Sequence, residues 1–191
     1  MINRKGWKMT QTIKSEGTDQ LGLVHVYTGT GKGKTTAALG LGLRAFGKGF
    51  KIHMIQFMKG DIEYGEISAV RNLDGFSIEQ FGRPDFVDRD NPAKIDIELA
   101  RKGMERAKEI LAGKKYDLVI LDEINVALDW KLIELDDVIE LIINRPKKVE
   151  LILTGRYAHP KIIELADLVT DMQEVKHPYQ TGVLARDGIE H

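Results

Sequence analysis

A segment rich in glycine, lysine and threonine constrains this chain more than any other feature. It runs Thr28-Gly29-Thr30-Gly31-Lys32-Gly33-Lys34-Thr35-Thr36, between a β-prone run at 23–27 and a predicted helix at 34–46. Glycines let successive backbone N–H groups converge on one oxyanion, and the helix N-terminus adds unpaired donors and partial positive charge. The segment therefore predicts a phosphate-binding P-loop that joins a strand to a helix.

Two side chains of this loop have predicted roles. Lys34 should reach non-bridging phosphate oxygens as a point charge, and the Thr35 hydroxyl lies where such loops bind Mg²⁺. The usual pattern begins with glycine, whereas this chain has Thr28 at that position. We predict that nucleotide phosphates bind Gly29, Thr30, Gly31, Lys32, Gly33, Lys34, Thr35 and Thr36.

Polar residues follow two later apolar runs. Residues 118–121 are all apolar and lead directly into Asp122 and Glu123, while Arg156 follows the run at 149–154. Carboxyl ends of parallel strands meet at one sheet edge, so these side chains should lie beside the P-loop. Asp122 and Glu123 are candidate Mg²⁺ ligands; spacing does not choose between them, and we favour Glu123. Arg156 is a candidate phosphate ligand, with a surface arginine as the alternative.

The remaining pattern predicts the fold class. Apolar runs alternate with helical periods, which indicates a mostly parallel sheet with helices on both faces, an α/β fold. We expect one domain over residues 21–191, with a long helix at 93–112, the next helix at 136–144 and a last strand at 168–175. Residues 1–20 are predicted to form a flexible tail, or an arm that orders over a ligand or partner subunit.

Composition excludes several classes of function. The 28 basic and 29 acidic residues give a net charge of −1, which does not favour binding to nucleic acid or to an anionic membrane. The chain has no cysteine, so disulfides and thiolate metal sites are excluded. No apolar run approaches the ~20 residues that span a bilayer. We therefore expect a cytoplasmic protein.

The joined motifs resemble the ATP:corrinoid adenosyltransferases, a P-loop family that adenosylates cob(I)alamin and related corrinoids. The P-loop alone would not separate this family from other NTPases, but its Gly-Lys-Gly-Lys-Thr-Thr form together with the C-terminal motifs is more specific. The resemblance covers residue 23 to the C-terminus. Its segments are 29–38 (GTGKGKTTAA), 56–60 (QFMKG), 121–123 (LDE), 153–156 (LTGR), 166–170 (ADLVT), 176–179 (KHPY), 182–183 (GV) and 188–190 (GIE).

The resemblance implies a RecA-like fold and attack of reduced Co(I) on C5′ of ATP, with triphosphate as the leaving group. It also implies nucleotide phosphates reversed relative to ordinary P-loop enzymes. Such a nucleophile needs no general base, so the predicted catalytic residues Lys34 and Arg156 are expected to offset the charge of the leaving group together with Mg²⁺. Glu123, the third predicted catalytic residue, is expected to act as a ligand of that Mg²⁺.

The resemblance further implies how the corrinoid is bound. Aromatic side chains should cover it from the loop near residues 81–90, where Phe86 is a better candidate than Phe81; core packing is the alternative for both. Trp7 and Met9, in the N-terminal arm, are expected to help cover the site. The family also implies a homodimer and a reduced flavin or flavoprotein as electron donor.

Three other functions share the P-loop. A kinase or generic NTPase would release ADP, but the chain lacks the arginine-rich cluster of many kinase lids. A regulatory nucleotide-binding protein would bind ATP without turnover. A RecA-like nucleic-acid motor is disfavoured by the near-neutral charge and small size.

Overall fold

The computed structural model describes residues 21–60 and 64–190, so the predicted N-terminal arm lies outside the described residues. Strands and helices alternate along the chain, as the sequence predicts, except that two helices lie between the fourth and fifth strands. The elements are β1 (Val24–Thr28), α1 (Lys34–Phe46), β2 (Ile52–Phe57), α2 (Gly65–Val70), β3 (Phe76–Phe81), α3 (Lys94–Ala112), β4 (Leu118–Asp122), α4 (Ile124–Asp129), α5 (Leu135–Asn144), β5 (Glu150–Thr154), α6 (Pro160–Leu165) and β6 (Leu168–Asp171), followed by a 3₁₀ turn (Pro178–Thr181).

The strands form one sheet with the order β3-β2-β4-β5-β1-β6. Every pairing is parallel, so the carboxyl ends of all six strands meet at the same edge. Strands β2, β4 and β5 are buried along their whole length, as expected of strands covered on both faces. The predicted α/β class is confirmed.

Helices cover both faces of the sheet over two separate cores. One core lies under α1 and α2 and includes Ala38, Met54 and Ile120. The larger core lies under α3 to α6 and includes Phe57 and Leu121, so alternate residues of the same strands face opposite helical layers. No helix in the described part of the chain is long and apolar enough to cross a membrane.

The structure corrects two predictions near the functional edge. The last strand ends at Asp171, not at residue 175, because the next residue turns over the P-loop, where its carbonyl accepts a hydrogen bond from Gly31 N. The sequence analysis missed a helix, α4, which is separated from the end of β4 by the single residue Glu123. Its residues 124–128 are all buried, so it lacks the amphipathic period by which helices are recognised.

The buried ring of His53 should make stability depend on pH. His53 Nδ1 lies 2.8 Å from Ser77 Oγ, and burial lowers the pKa of the ring to about 4, with Glu79 opposing the shift. In the unfolded chain the pKa is about 6.5, so the unfolded state binds more protons between these values. The free energy of unfolding should therefore fall as pH drops from about 6.5 towards 4, by up to about 3 kcal/mol from this group.

Urea unfolding of the protein and of a His53→Gln variant, at several pH values across this range, checks the prediction. The variant should lose less stability on acidification than the unaltered protein. Parallel pH dependences for the two proteins would contradict it.

Candidate active site

The P-loop is shaped by the chain that follows β6. Gly29 and Gly33 have φ values of 96° and 115°, in the region that favours glycine. A Cβ at Gly31 would lie 2.7 Å from Met172 O, and Gly31 N donates a hydrogen bond to that same oxygen. The glycines therefore serve two purposes, since they permit the turn and also admit a neighbouring backbone.

Thr28, which replaces the usual first glycine, ends β1 and is buried. Its Oγ1 accepts a hydrogen bond from Ala158 N at 3.2 Å, in the loop that follows β5. The hydroxyl thus ties the start of the P-loop to the segment that carries Arg156. A threonine at this position has a structural use that glycine could not provide.

Lys34 is the first residue of α1, and its side chain turns back into the P-loop. Its Nζ donates hydrogen bonds to Gly29 O at 2.9 Å and Gly31 O at 2.6 Å, and the residue is only 7% exposed. Burial lowers the pKa of this ammonium, and the carboxylate of Glu123 opposes the shift. The loop therefore holds a positive charge where an anion would be bound.

Asp122, at the end of β4, is fully buried and links four elements of the site. Its Oδ1 accepts hydrogen bonds from Thr35 Oγ1 at 2.8 Å and Thr154 Oγ1 at 2.7 Å. Its Oδ2 lies 2.9 Å from the ammonium of Lys59 and 3.4 Å from Gln56 Nε2. Both oxygens are thus occupied, and Thr35 directs its hydroxyl proton towards Asp122 and away from the cleft.

Glu123 follows immediately and has a different environment. Its φ of 61° is left-handed, which ends β4 and turns the chain into α4. Its backbone N–H donates to Thr154 Oγ1 at 3.0 Å. Burial raises the pKa of its carboxyl, the adjacent Asp122 adds to the increase, and Lys59, Lys34 and Arg156 oppose it.

Backbone strain is concentrated at this edge of the sheet. Non-glycine residues with positive φ follow the carboxyl ends of three strands: Met58 after β2, Glu123 after β4 and Tyr157 after β5. Such conformations cost about 1–3 kcal/mol each and persist where surrounding contacts impose them. Gly155, with a φ of 126°, allows the loop after β5 to pass close to α4. The same turn brings Arg156 to the cleft.

These elements enclose an open cleft of about 570 Å³. Most of the predicted site residues line it: Gly31, Lys32, Gly33, Lys34, Thr35, Thr36, Phe86, Glu123 and Arg156. Gly29, Thr30 and Asp122 do not line it, and Asp122 lies behind Thr35. Phe86 is fully exposed at the cleft, whereas Phe81 packs against the larger core, so core packing is the outcome for Phe81 alone.

A family model described as ATP:corrinoid adenosyltransferase BtuR/CobO/CobP matches residues 20–191. This chain belongs to that family. It is 36% identical to the corrinoid adenosyltransferase of Escherichia coli K12 over 180 residues, which cover 93% of this chain and 89% of the relative. It is 37% identical to the enzyme of that name from Pseudomonas aeruginosa (92% and 87% covered) and 35% identical to that of a Sinorhizobium species (94% and 85% covered). The resemblance found from the motifs is confirmed.

Sequence reasoning missed several residues that line the cleft of this adenosyltransferase. Trp130 reaches it from the end of the unpredicted α4, and Tyr157 lies there beside Arg156. Arg89 also lines the cleft, donates a hydrogen bond to Asp129 at 3.0 Å, and lies 5.5 Å from the centre of the Tyr157 ring. His177 and Glu190 come from the C-terminal motifs, which the family resemblance had marked without giving them a role.

Gly31→Ala should lower the affinity for ATP about tenfold or more, a change of ~1.4 kcal/mol. The added Cβ would lie 2.7 Å from Met172 O and 2.8 Å from Gln173 C, which are backbone atoms that cannot rotate away. Gly40→Ala is the matched control, because Gly40 is exposed and its added Cβ would meet no atom within 4 Å apart from the adjoining backbone of α1. Isothermal titration with ATP checks both variants. Equal affinities would contradict this account of the loop.

Proposed function

We propose that this adenosyltransferase transfers the 5′-deoxyadenosyl group of ATP to the Co(I) of a reduced corrinoid and releases triphosphate. The observation that supports this most is a P-loop cleft, in a member of this family, that brings Lys34 and Arg156 together beside an exposed aromatic side chain, Phe86. A cobalt–carbon bond forms with an electron pair of Co(I), and the C5′–oxygen bond breaks with its electrons going to triphosphate.

The proposed reaction does not depend on acid–base catalysis by the protein. Co(I) carries no proton, so the attack needs no general base. The departing triphosphate gains negative charge, so stabilisation of that charge is the task left to the protein, and one such contact is typically worth ~10²–10³ in rate. The cleft supplies the ammonium of Lys34, the guanidinium of Arg156 and the N-terminus of α1.

The donors at the cleft fit a Mg²⁺ ion that accompanies the nucleotide. Because the Thr35 hydroxyl donates a hydrogen bond to Asp122, its oxygen lone pairs remain available, and the Glu123 carboxylate lines the same cleft. The described residues hold no cluster of three or more His, Cys, Asp or Glu side chains suited to a metal. Mg²⁺ bound with a nucleotide keeps several waters and takes one or two protein carboxylates plus phosphates. Bound there, Mg²⁺ would offset phosphate charge.

Asp122 and Glu123 would then have different roles in binding the metal. Asp122 has both oxygens occupied by protein donors, so we assign it the role of orienting Thr35. Glu123 faces the cleft and is assigned as the direct ligand. The sequence analysis also favoured Glu123 as the Mg²⁺ ligand. The hydrogen bonds that occupy both oxygens of Asp122 supply a physical reason for that preference.

The corrinoid is proposed to lie against Phe86. Phe86 is fully exposed in a cleft that Trp130 and Tyr157 also line, and it offers an apolar surface for a large flat ligand. Arg89 holds this loop to α4 through Asp129 and should fix the position of Phe86. We further propose that the enzyme acts as a homodimer in the cytoplasm and receives electrons from a reduced flavin or flavoprotein.

The reaction product tests this proposal against the alternative, a kinase or NTPase with an unknown acceptor. The protein is incubated with ATP, Mg²⁺ and chemically reduced cobalamin, and the phosphate products are separated by ion-exchange chromatography. Triphosphate should appear together with the absorption change of a new cobalt–carbon bond. ADP with an unaltered corrinoid would refute the proposal in favour of phosphoryl transfer.

Lys34→Ala should reduce turnover at least about a hundredfold, because a positive charge is lost from the leaving group's site. The fold should persist, since the side chain bonds only to carbonyls of its own loop. Lys161→Ala, at an exposed position on α6, is the control and should retain full activity. Initial rates with saturating ATP and corrinoid check this, alongside circular dichroism of each variant. Near-normal turnover in Lys34→Ala would contradict the assigned role.

A further inference from the structure

The C-terminal segment folds back onto the P-loop. Lys32 Nζ lies 2.7 Å from Glu190 Oε1 and donates a second hydrogen bond to Ile189 O at 3.2 Å. These groups are 158 and 157 positions apart in the chain, so only the fold brings them together. The proposed reaction leaves this contact unexplained, although Glu190 belongs to one of the motifs shared with the family.

The position of Glu190 is fixed by a second basic residue. Arg186 donates to Glu190 Oε2 from its backbone N at 2.8 Å and from Nε at 3.1 Å, and to Oε1 from Nη2 at 3.0 Å. The side chain of Glu190 is only 18% exposed, although the residues before it are exposed. Hydrogen bonds from Arg186 and then Lys32 hold the pKa of its carboxyl well below the usual range.

Glu190 also lies between two clefts. It lines the P-loop cleft together with Lys34 and Arg156. On its other side, with Gly188 and Ile189, it borders a smaller cleft of about 310 Å³. Thr35 and Thr36 at the start of α1 line both clefts. The segment 188–190 therefore forms part of the wall around the first turn of α1.

The Lys32 ammonium can still bind an anion while it contacts Glu190. An ammonium has three N–H donors, and the contacts to Glu190 and Ile189 O use two of them. The group of Lys32, Arg186 and Glu190 holds two positive charges and one negative charge. Glu190 thus restrains the ammonium at the cleft while the group as a whole stays positive, which suits a site for phosphates.

We infer that Glu190 is a positioning residue for the triphosphate of ATP, and that it acts by holding Lys32 of the P-loop at the rim of the cleft. This inference rests on the proposed function, since it concerns the same nucleotide site. It gives the C-terminal motif a role in substrate binding and not in the chemical step. Loss of Glu190 should therefore raise KM for ATP while kcat and KM for the corrinoid stay unchanged.

The test compares Glu190→Gln with Asp187→Asn, which makes the same change of carboxylate to amide at an exposed neighbouring position. Removing the contact of a partly exposed ion pair has a modest effect, so it should weaken ATP binding about three- to fivefold. Asp187→Asn should bind ATP like the unaltered protein. Glu190→Asp, which keeps the carboxylate, should recover part of the loss. Isothermal titration with ATP and steady-state kinetics measure both effects, and circular dichroism confirms that each variant is folded.

A double-mutant cycle decides whether Glu190 acts through Lys32. In a Lys32→Met background, Glu190→Gln should have no further effect on ATP affinity. The inference is overturned if Glu190→Gln binds ATP as tightly as the Asp187→Asn control. It is also overturned if the loss persists in the Lys32→Met background, or if kcat falls while KM for ATP is unchanged. Failure of the unaltered protein to bind ATP at all would instead remove the proposed function.

Discussion

One buried carboxylate, that of Asp122, holds the functional edge of this protein together. Its two oxygens join α1 through Thr35, β5 through Thr154, and β2 and the residues after it through Gln56 and Lys59. Breaking a buried ion pair by removing one partner typically costs ~3–5 kcal/mol, because the remaining charge is left without compensation. The P-loop, the carboxylate strand and the strand between them are thus fixed relative to one another before any nucleotide arrives.

The site that results is arranged for charge and position rather than for proton transfer. Lys34 and Arg156 converge on one cleft, and Glu123 beside them is held in a strained left-handed turn. Preorganised charges of this kind need no rearrangement when negative charge develops on a leaving group. The exposed Phe86 lines the same cleft, so the P-loop and an apolar aromatic surface share one opening. This combination distinguishes the cleft from a bare phosphate-binding loop.

Sequence reasoning succeeded where a local pattern had a single physical explanation. Helix α1 has the predicted limits, because a glycine lies immediately before its first residue and another immediately after its last. It failed at α4, which is buried all round and so shows no amphipathic period, and at the end of β6, where a contact with Gly31 turns the chain. Trp130 was missed with α4. Glu190 belonged to a recognised motif, but its partner Lys32 is too distant in the chain for spacing to suggest the contact.

The sequence by itself determined the P-loop, the α/β class, the family and most of the residues that line the cleft. Each of these rests on short local patterns, and the family required several such patterns together. Only the tertiary structure decided which carboxylate is buried behind Thr35 and which faces the cleft. It alone paired Lys32 with Glu190, and it showed that Phe86, which the sequence analysis already preferred, is exposed while Phe81 is packed. These outcomes depend on burial and on contacts between distant segments, which arise when parallel strands bring their carboxyl ends to one edge.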